Sequence, residues 1–414
     1  DYLVLPGLLA NRKEKTVRLY ARATGLGPGD PVEFFIIPAD SGKDYEALTV
    51  AFVKPSDVDR ALKFIGMKPG RPVNYNENQY WPKGERVLMS VEWTPINRDE
   101  IDRGKNPGKK VRAEELIIDT RTKKPLPLTG LIFTGSYIVK PGAGDKEMLA
   151  ADVSDSRSIA SDYNERSTVL DVPYQWPQGQ VYGALKPNPA YKFDSAQPVQ
   201  ILLEPEHKDG KTRVCDLTLK VLQKDRFTLL GSSNKPIASE IDLVHLLAEF
   251  GKITDAGQDP FVTIDVAGSL TLHQLHELFS LIQTLDRETG IRVEAPLPGQ
   301  LYYRAFFPDE QWRDRSKRLG RPWELHAKVG NANGALSGTL TLPADDIDNN
   351  GGKGDLKFVA NTPEELAKTL KDKSDRWSQT VYIFATPDIR YGALLDFIRP
   401  SMTTHPGVYI FLEK

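Results

Sequence analysis

The densest run of hard oxygen donors in the chain is "PADDIDNNGGKGDLKF", where Asp346, Asp348, Asn350 and Gly351 follow the opening D-x-[DN]-x-[DN]-G of a calcium loop. Alternating Asp and Asn around a glycine supplies several oxygens on a tightly turning backbone, which is what a hard cation needs. The twelfth position is Lys357 instead of the bidentate Glu of such a loop, and Asp355 falls two residues early. The run therefore reads first as a hairpin loop, because Asp, Asn and Gly tolerate left-handed backbone angles. Calcium, held by Asp346, Asp348, Asn350 and Asp355, is the one cofactor the sequence leaves open. His273 and His276 sit three apart in "HQLHE", but zinc needs a third ligand, and the H-E-x-x-H spacing is not met. Leu275, Leu278, Phe279 and Ile282 form the apolar stripe of that segment, so the histidines read as its solvated side. In "WRDRSKRLGRPW", Arg313, Arg315, Lys317, Arg318 and Arg321 lie between Trp312 and Trp323, a pattern that can grip phosphate. Asp309, Glu310 and Asp314 dilute it, and a solvated linker is the reading.

Nucleophile and phosphate motifs are missing as well. "TGSY" around Ser136 lacks the G-x-S-x-G elbow. "GLGPGD" and "KPGAGDKE" match neither the P-loop nor the dinucleotide fingerprint, so both read as turns. Cys215 is the single cysteine, in the alternating "KTRVCDLTLKV", where it packs in a half-buried strand. It excludes an intrachain disulfide and a cysteine-ligated iron–sulfur cluster.

The elements that must position these residues fall into two textures. Over 414 residues two or three domains are expected. With 54 Lys and Arg against 56 Asp and Glu, the net charge of −2 points to neither nucleic acid nor an anionic membrane. No apolar run reaches the ~18 residues of a membrane helix. Residues 1–231 read as short strands broken by Gly and Pro, among them "KTVRLYARAT", "PVEFFIIPAD" and "PVQILLEPE". "KPSDVDRALKFIGMKPG" reads as a helix capped by Ser56 and ended by Gly66, with Val58, Ala61, Leu62 and Ile65 on one face. "INRDEIDRGKNPGKK" reads as a loop.

In order, "YEALTVAFVKPSDVDRALKFIGMKPG", "VRAEELIID", "FTGSYI" and "SDYNERSTVLDVP" resemble the YdjY domain family of bacterial proteins, over most of residues 10 to 175. Members described as ferredoxin-like imply an iron–sulfur cluster, which Cys215 alone cannot ligate. The resemblance picks out Glu46, Glu114, Glu115, Ser136, Tyr163 and Asn164 as the polar residues for binding. Paired carboxylates do acid–base work where their environments split their pKa values. Glu114 and Glu115, read as strand neighbours, point to opposite faces; Glu46 meeting one of them across the fold stays open. Turn hydrogen bonds and strand-end roles are the default reading for this set.

From about residue 236, strands alternate with helices and the sequence repeats. A constant shift of 119 positions places Val262 on Val381, Ile264 on Ile383, Leu275 on Leu394, Leu278 on Phe397, Phe279 on Ile398 and Ile291 on Ile410. Helix starts are read at Ser239 before Glu240, and at Thr362 followed by Pro363, Glu364 and Glu365. Asp388 in "FATPDIRYG" aligns with Ser269 as a helix-capping corner residue. With "TPEEL" and "VYIFATPDIRYGALLDFI", this doubled unit resembles the periplasmic domain of the ExbD/TolR family, strand–helix–strand–helix–strand. That resemblance implies a soluble domain that binds partners or cell wall. The family's proton-coupling membrane helix has no counterpart in these residues.

The fold expected is α+β, in three domains: 1–231 YdjY-like and strand-rich, 232–310 the first ExbD-like copy, and 311–414 the second. The function expected is non-catalytic: an exported, periplasmic or cell-surface scaffold or binding module for other proteins or cell-envelope components, with self-association. Export follows from the lone cysteine and from a first residue, Asp1, that is not Met. The alternative is a metal-binding accessory or enzyme of an exported redox pathway using the N-terminal carboxylates. Open sheet edges suit strand pairing, and "GVYIFLEK" is the piece most suited to an edge or to closing the sheet.

Overall fold

A computed structural model of the chain describes residues 1–93, 109–142, 144–288, 290–306, 321–330, 335–342, 355–374 and 378–413. It is mixed α and β, in two compact units, Asp1–Val214 and Cys215–Lys414.

The first unit is strand-rich. A hairpin of β1 (Tyr2–Leu5) and β2 (Leu8–Asn11) runs antiparallel into β3 (Thr16–Ala23). Then follow β4 (Phe34–Pro38), β5 (Ala47–Ala51), β6 (Arg86–Trp93) and β7 (Lys109–Arg112). Next come β8 (Ile117–Asp119), β9 (Lys124–Pro125), β10 (Leu131–Phe133), β11 (Ile138–Val139) and β12 (Met148–Leu149). The last four are β13 (Ala160–Ser161), β14 (Leu170–Asp171), β15 (Leu185–Pro187) and β16 (Pro198–Pro205). Eight of them pair in the order β3–β16–β6–β10–β14–β13–β4–β5, and β5 pairs back onto β3 from Ala21↔Ala51 to Ala23↔Thr49. The sheet is thus a closed eight-stranded barrel, which leaves no free edge around its girth. Strict alternation on β3 turns Val17, Leu19, Ala21 and Ala23 inward. Register then stacks Leu19 beside Ile201 and Ile201 beside Val91, a buried layer across three strands. Each such aliphatic side chain contributes about 1.5–3 kcal/mol by leaving water.

One ten-residue helix, α1 (Pro55–Phe64), packs Val58, Ala61 and Leu62 into the same core. Its start corrects the sequence reading. Lys54 is the N-cap, Pro55 opens the helix, and Ser56 caps nothing; its N–H instead donates to Asp152 Oδ1 at 2.9 Å. Asp152 lies on α2 (Ala150–Val153), a single turn. The end is as expected: Gly66 is left-handed at φ 96°, its N–H meets Lys63 O, and Met67 N–H meets Leu62 O. A second single turn, α3 (Gln178–Val181), follows β14.

In the second unit, two five-stranded sheets repeat one plan. The first has β17 (Val214–Gln223), β18 (Arg226–Gly231), β19 (Pro236–Ile241), α4 (Leu243–Asp255), β20 (Asp259–Val266), α5 (Leu272–Glu288) and β21 (Arg292–Val293). The other has β22 (Trp323–Val329), β23 (Leu336–Leu342), β24 (Leu356–Ala360), α6 (Pro363–Lys373), β25 (Thr380–Ala385), α7 (Tyr391–Ile398) and β26 (Gly407–Leu412). Strand orders are β19–β18–β17–β20–β21 and β24–β23–β22–β25–β26, the same order twice. All twelve residues aligned by the 119-position shift are buried. Because β17 and β18 belong to the first of these sheets, that copy begins upstream of residue 232 and has two strands more than strand–helix–strand–helix–strand.

The two copies touch at their corners. Leu272 N–H donates to Ile389 O and Tyr391 N–H to Leu270 O; His273 N–H donates to Pro387 O and Gly392 N–H to Gly268 O. Shifting either member of each pair by 119 positions gives the other, so the contact is isologous within one chain, with the bridged pair Thr271 and Arg390 on its pseudo-two-fold axis. This pairing also explains why Asp388 is not a cap. Arg390 occupies the N-cap position of α7, while Asp388 bonds Thr386 and helps turn the corner. Ser239 is likewise not a helix start: it lies in β19, and Asp242 caps α4 by accepting from His245 N–H at 3.0 Å.

Candidate functional site

The barrel wall carries the residues singled out by sequence, and each is held differently. Glu114 and Glu115 lie on a 3-10 turn, Ala113–Leu116, and not on a strand, because the Glu115 side chain accepts from Arg112 N–H in a capping box. Glu114 is buried and takes Arg112 Nη2 at 2.5 Å and Gly130 N–H at 2.9 Å. Glu115 takes the Tyr191 hydroxyl at 3.2 Å. Ser136, left-handed at φ 57°, donates from Oγ to Ser167 O at 2.7 Å and accepts from Ala151 N–H at 3.2 Å. Asn164 donates to Asp171 Oδ1 at 3.2 Å and accepts from Trp176 N–H at 2.6 Å. These four tie loops to the barrel and do not face one another through any of these bonds.

Glu46 and Tyr163 are brought together, by partners the sequence reading did not name. Glu33 immediately precedes β4, Glu46 immediately precedes β5, and Asp162 immediately follows β13. Phe34 pairs with Ala47 on one side and Ser161 on the other, so the three carboxyl residues form one row across adjacent strand ends. Glu33 N–H donates to Glu46 O at 2.8 Å, and Asp162 N–H donates to Glu33 O at 3.0 Å. Lys43 Nζ lies 3.2 Å from Glu46 Oε1, and Gln178 Nε2 reaches Glu33 at 2.9 and 3.0 Å. Asp162 is 1% exposed, and neither of its oxygens meets hydrogen-bond geometry with a partner. Burial drives its pKa well above the ordinary carboxylate range, and the Glu33 and Glu46 charges push the same way. Burial also raises Glu33, against the pull of Gln178. Tyr163, packed 5.9 Å from the Phe34 ring, is raised by burial and by Glu165, Glu33, Asp162 and Glu46.

Two further acids extend this polar interior. Glu165 accepts from Ser156 in a very short bond and from Ser167 at 2.8 Å, and burial raises it. Asp171, on β14, is fully buried and raised by burial against the Asn164 bond. Among the described residues, no three His, Cys, Asp or Glu side chains are placed to hold one metal ion. Chemically, the row offers three buried carboxyl groups beside one lysine. In "SDYNERST" these positions read as loop polarity; only strand pairing with β4 reveals that Asp162 is enclosed.

Of the calcium candidates, Asp346, Asp348 and Asn350 lie outside the described residues, and Asp355 directly precedes β24. Arg313, Arg315, Lys317 and Arg318 lie outside them too. His273 is exposed with Nε2 3.5 Å from Glu277, and burial lowers the pKa of His276. Cys215 is half-buried in β17, and burial raises its thiol, as a packing residue's would be. A serine–histidine contact escaped the sequence reading: Ser374 Oγ lies 2.7 Å from His405 Nε2. Trp323 Nε1–H also donates to Ser374 Oγ at 2.7 Å, so the hydroxyl bridges indole and imidazole. It is a clamp between the end of α6 and the turn before β26.

Sheet edges differ between the copies. β26 pairs with β25 in parallel over six residue pairs and ends its sheet. On one face, His326, Phe384 and Phe411 stack at 4.8 and 5.1 Å. β24 ends the other side, with Leu356 and Val359 exposed. In the first copy, β21 has two residues, and β19 begins at Pro236, pairs irregularly with β18 and holds Glu240 at φ 52°. Short length, proline and irregular pairing blunt an edge; the second copy has neither proline nor bulge on β24 or β26.

Among the described residues no helix is long and apolar enough to cross a membrane. No curated protein matches the chain. The family model of the YdjY domain matches residues 8–145, so the N-terminal part of this chain, from β2 through β11, is similar to the YdjY domain.

Proposed function

We propose that the chain is a non-catalytic scaffold or binding module of the cell envelope, and that the second copy takes a partner's extended strand on its sheet edge. The observation that carries this reading is β26: six residues in regular register with β25 and, among the described residues, no strand on its outer side. Backbone groups along such an edge supply affinity, and alternate side chains supply selectivity. The blunted edges of the first copy support assigning the role to the second. Its likeness to ExbD/TolR periplasmic domains, which bind partners or cell wall, and the lone Cys215 agree with an exported protein. A photo-crosslinking side chain at Leu412 on β26, with Lys368 on α6 as control, tests it in cells. Adducts at Leu412 and none at Lys368 are expected. Equal yields at both, or a chain lacking residues 408–414 that folds and associates like the full chain, overturn the reading.

The grouping of Glu46 with Glu33 and Asp162 supports a second reading, an accessory or enzyme of an exported redox pathway acting through N-terminal carboxylates. A stoichiometric transition metal in the purified protein favours it over the first.

A further inference from the structure

Three carboxyls in one lateral row, each at most 5% exposed, carry unequal compensation. Residues directly opposite across neighbouring strands present their side chains to the same face, where like charges repel. Glu46 has Lys43, and Glu33 has the Gln178 amide. Asp162 has neither, and the charged groups acting on it are Glu33 and Glu46, with Lys43 beyond Glu46, the Tyr163 phenol alongside, and Glu165 near Tyr163 and Glu33. An isolated buried carboxylate is so costly that the group takes a proton instead. Enclosure without a cation therefore favours the protonated form of Asp162.

What Glu33 holds is a strap. Gln178 opens α3, Val181 of the same turn is buried, and Trp176 is pinned by two bonds to Asn164, at 2.6 and 2.8 Å. Asn164 is two residues from Asp162. We propose that the row is a proton-loaded latch: when Asp162 loses its proton, repulsion turns Glu33 away from Gln178 and the strap Trp176–Val181 loosens from the barrel end. Charge on Asp162 has no local cation to meet it, and the two Gln178 bonds are side-chain restraints on Glu33 that solvent can replace. The latch is closed where Asp162 holds its proton and opens as rising pH removes it.

Hydrogen–deuterium exchange of the full chain reads this directly. Protection of residues 174–183, corrected for intrinsic exchange, is to be followed from pH 5.5 to 8.5. Wild type should lose about tenfold protection as pH rises, the effect of one pK unit, and Asp162→Asn should show no loss. Gln178→Ala should be unprotected throughout. Flat wild-type protection, or the same fall in Asp162→Asn, overturns the proposal. If Asp162→Asn does not fold, Glu33→Gln serves: it keeps an acceptor for Gln178 and removes the repelling charge, so its protection should stay flat. A fall identical to wild type overturns the proposal there too.

Discussion

His405 shows how a single buried side chain sets a pH limit. It is 1% exposed, with Nε2 on Ser374 and Nδ1 3.0 Å from Thr404 Oγ1. Burial lowers its pKa below the ordinary 6.5, against an opposing backbone bond at Ser378. The unfolded chain therefore binds the proton first as pH falls, so stability is present above 6.5 and is lost as pH falls through the folded value. The slope is at most one proton's worth, about 1.4 kcal/mol per pH unit. Urea unfolding of the second unit between pH 7.5 and 5 should show it, and His405→Gln should flatten it; equal slopes refute the assignment. Asp162 and Asp171 have the reverse sign. Their raised values make the folded state the stronger proton binder, so their contribution is full below the ordinary 3.8 and is lost as pH rises through the folded values. None of this was visible in sequence. Nothing local in "TTHPG" or "SDYNE" marks the histidine or the aspartate as enclosed; tertiary pairing does that.

Among the elements, what could be read from sequence was whatever local chemistry decides. Thr362 caps α6 as expected, accepting from Glu365 N–H at 3.2 Å, while Glu365 reaches back to Asn361 N–H at 2.8 Å. The repeat register was equally legible, because helix and strand periods place the same apolar positions inward in both copies. Asp242 was missed because Ser239 offered an equivalent cap three residues earlier, and only pairing of Ala238 and Ile241 with β18 holds that stretch in the sheet. Barrel closure was out of reach for a related reason. β13 and β14 have two residues each, too few for any period to show, and β3–β5 pairing is fixed by neighbours distant in sequence. The two caps should nonetheless behave alike. Thr362→Ala and Asp242→Ala should each cost about 1 kcal/mol in chemical denaturation of the second unit. A loss at Thr362 with none at Asp242 would mean that α4 begins elsewhere.

At the scale of the whole chain, the duplicated unit is the feature with the widest consequence. Most isologous contacts join two chains, and here one chain supplies both halves, so the contact forms without a concentration requirement. It also cannot relax symmetrically, because each half has diverged; Thr271 faces Arg390 on the axis itself. A pair of glycines meets within this contact. A Cβ on Gly268 would lie 3.0 Å from Gly392 Cα, and one on Gly392 would lie 3.0 Å from Gly268 O. Both obstructions are backbone, which cannot swing aside as a side chain end can. Gly268→Ala and Gly392→Ala should therefore each cost about 1–3 kcal/mol, the usual range for overpacking. Because each substitution forces apart the same two corners, the second should cost less once the first is present. Urea unfolding of both single variants and the double variant should give a coupling of at least about 0.5 kcal/mol. Additive losses would mean that the two corners yield independently, and that the pseudo-two-fold contact does not hold the copies as one body.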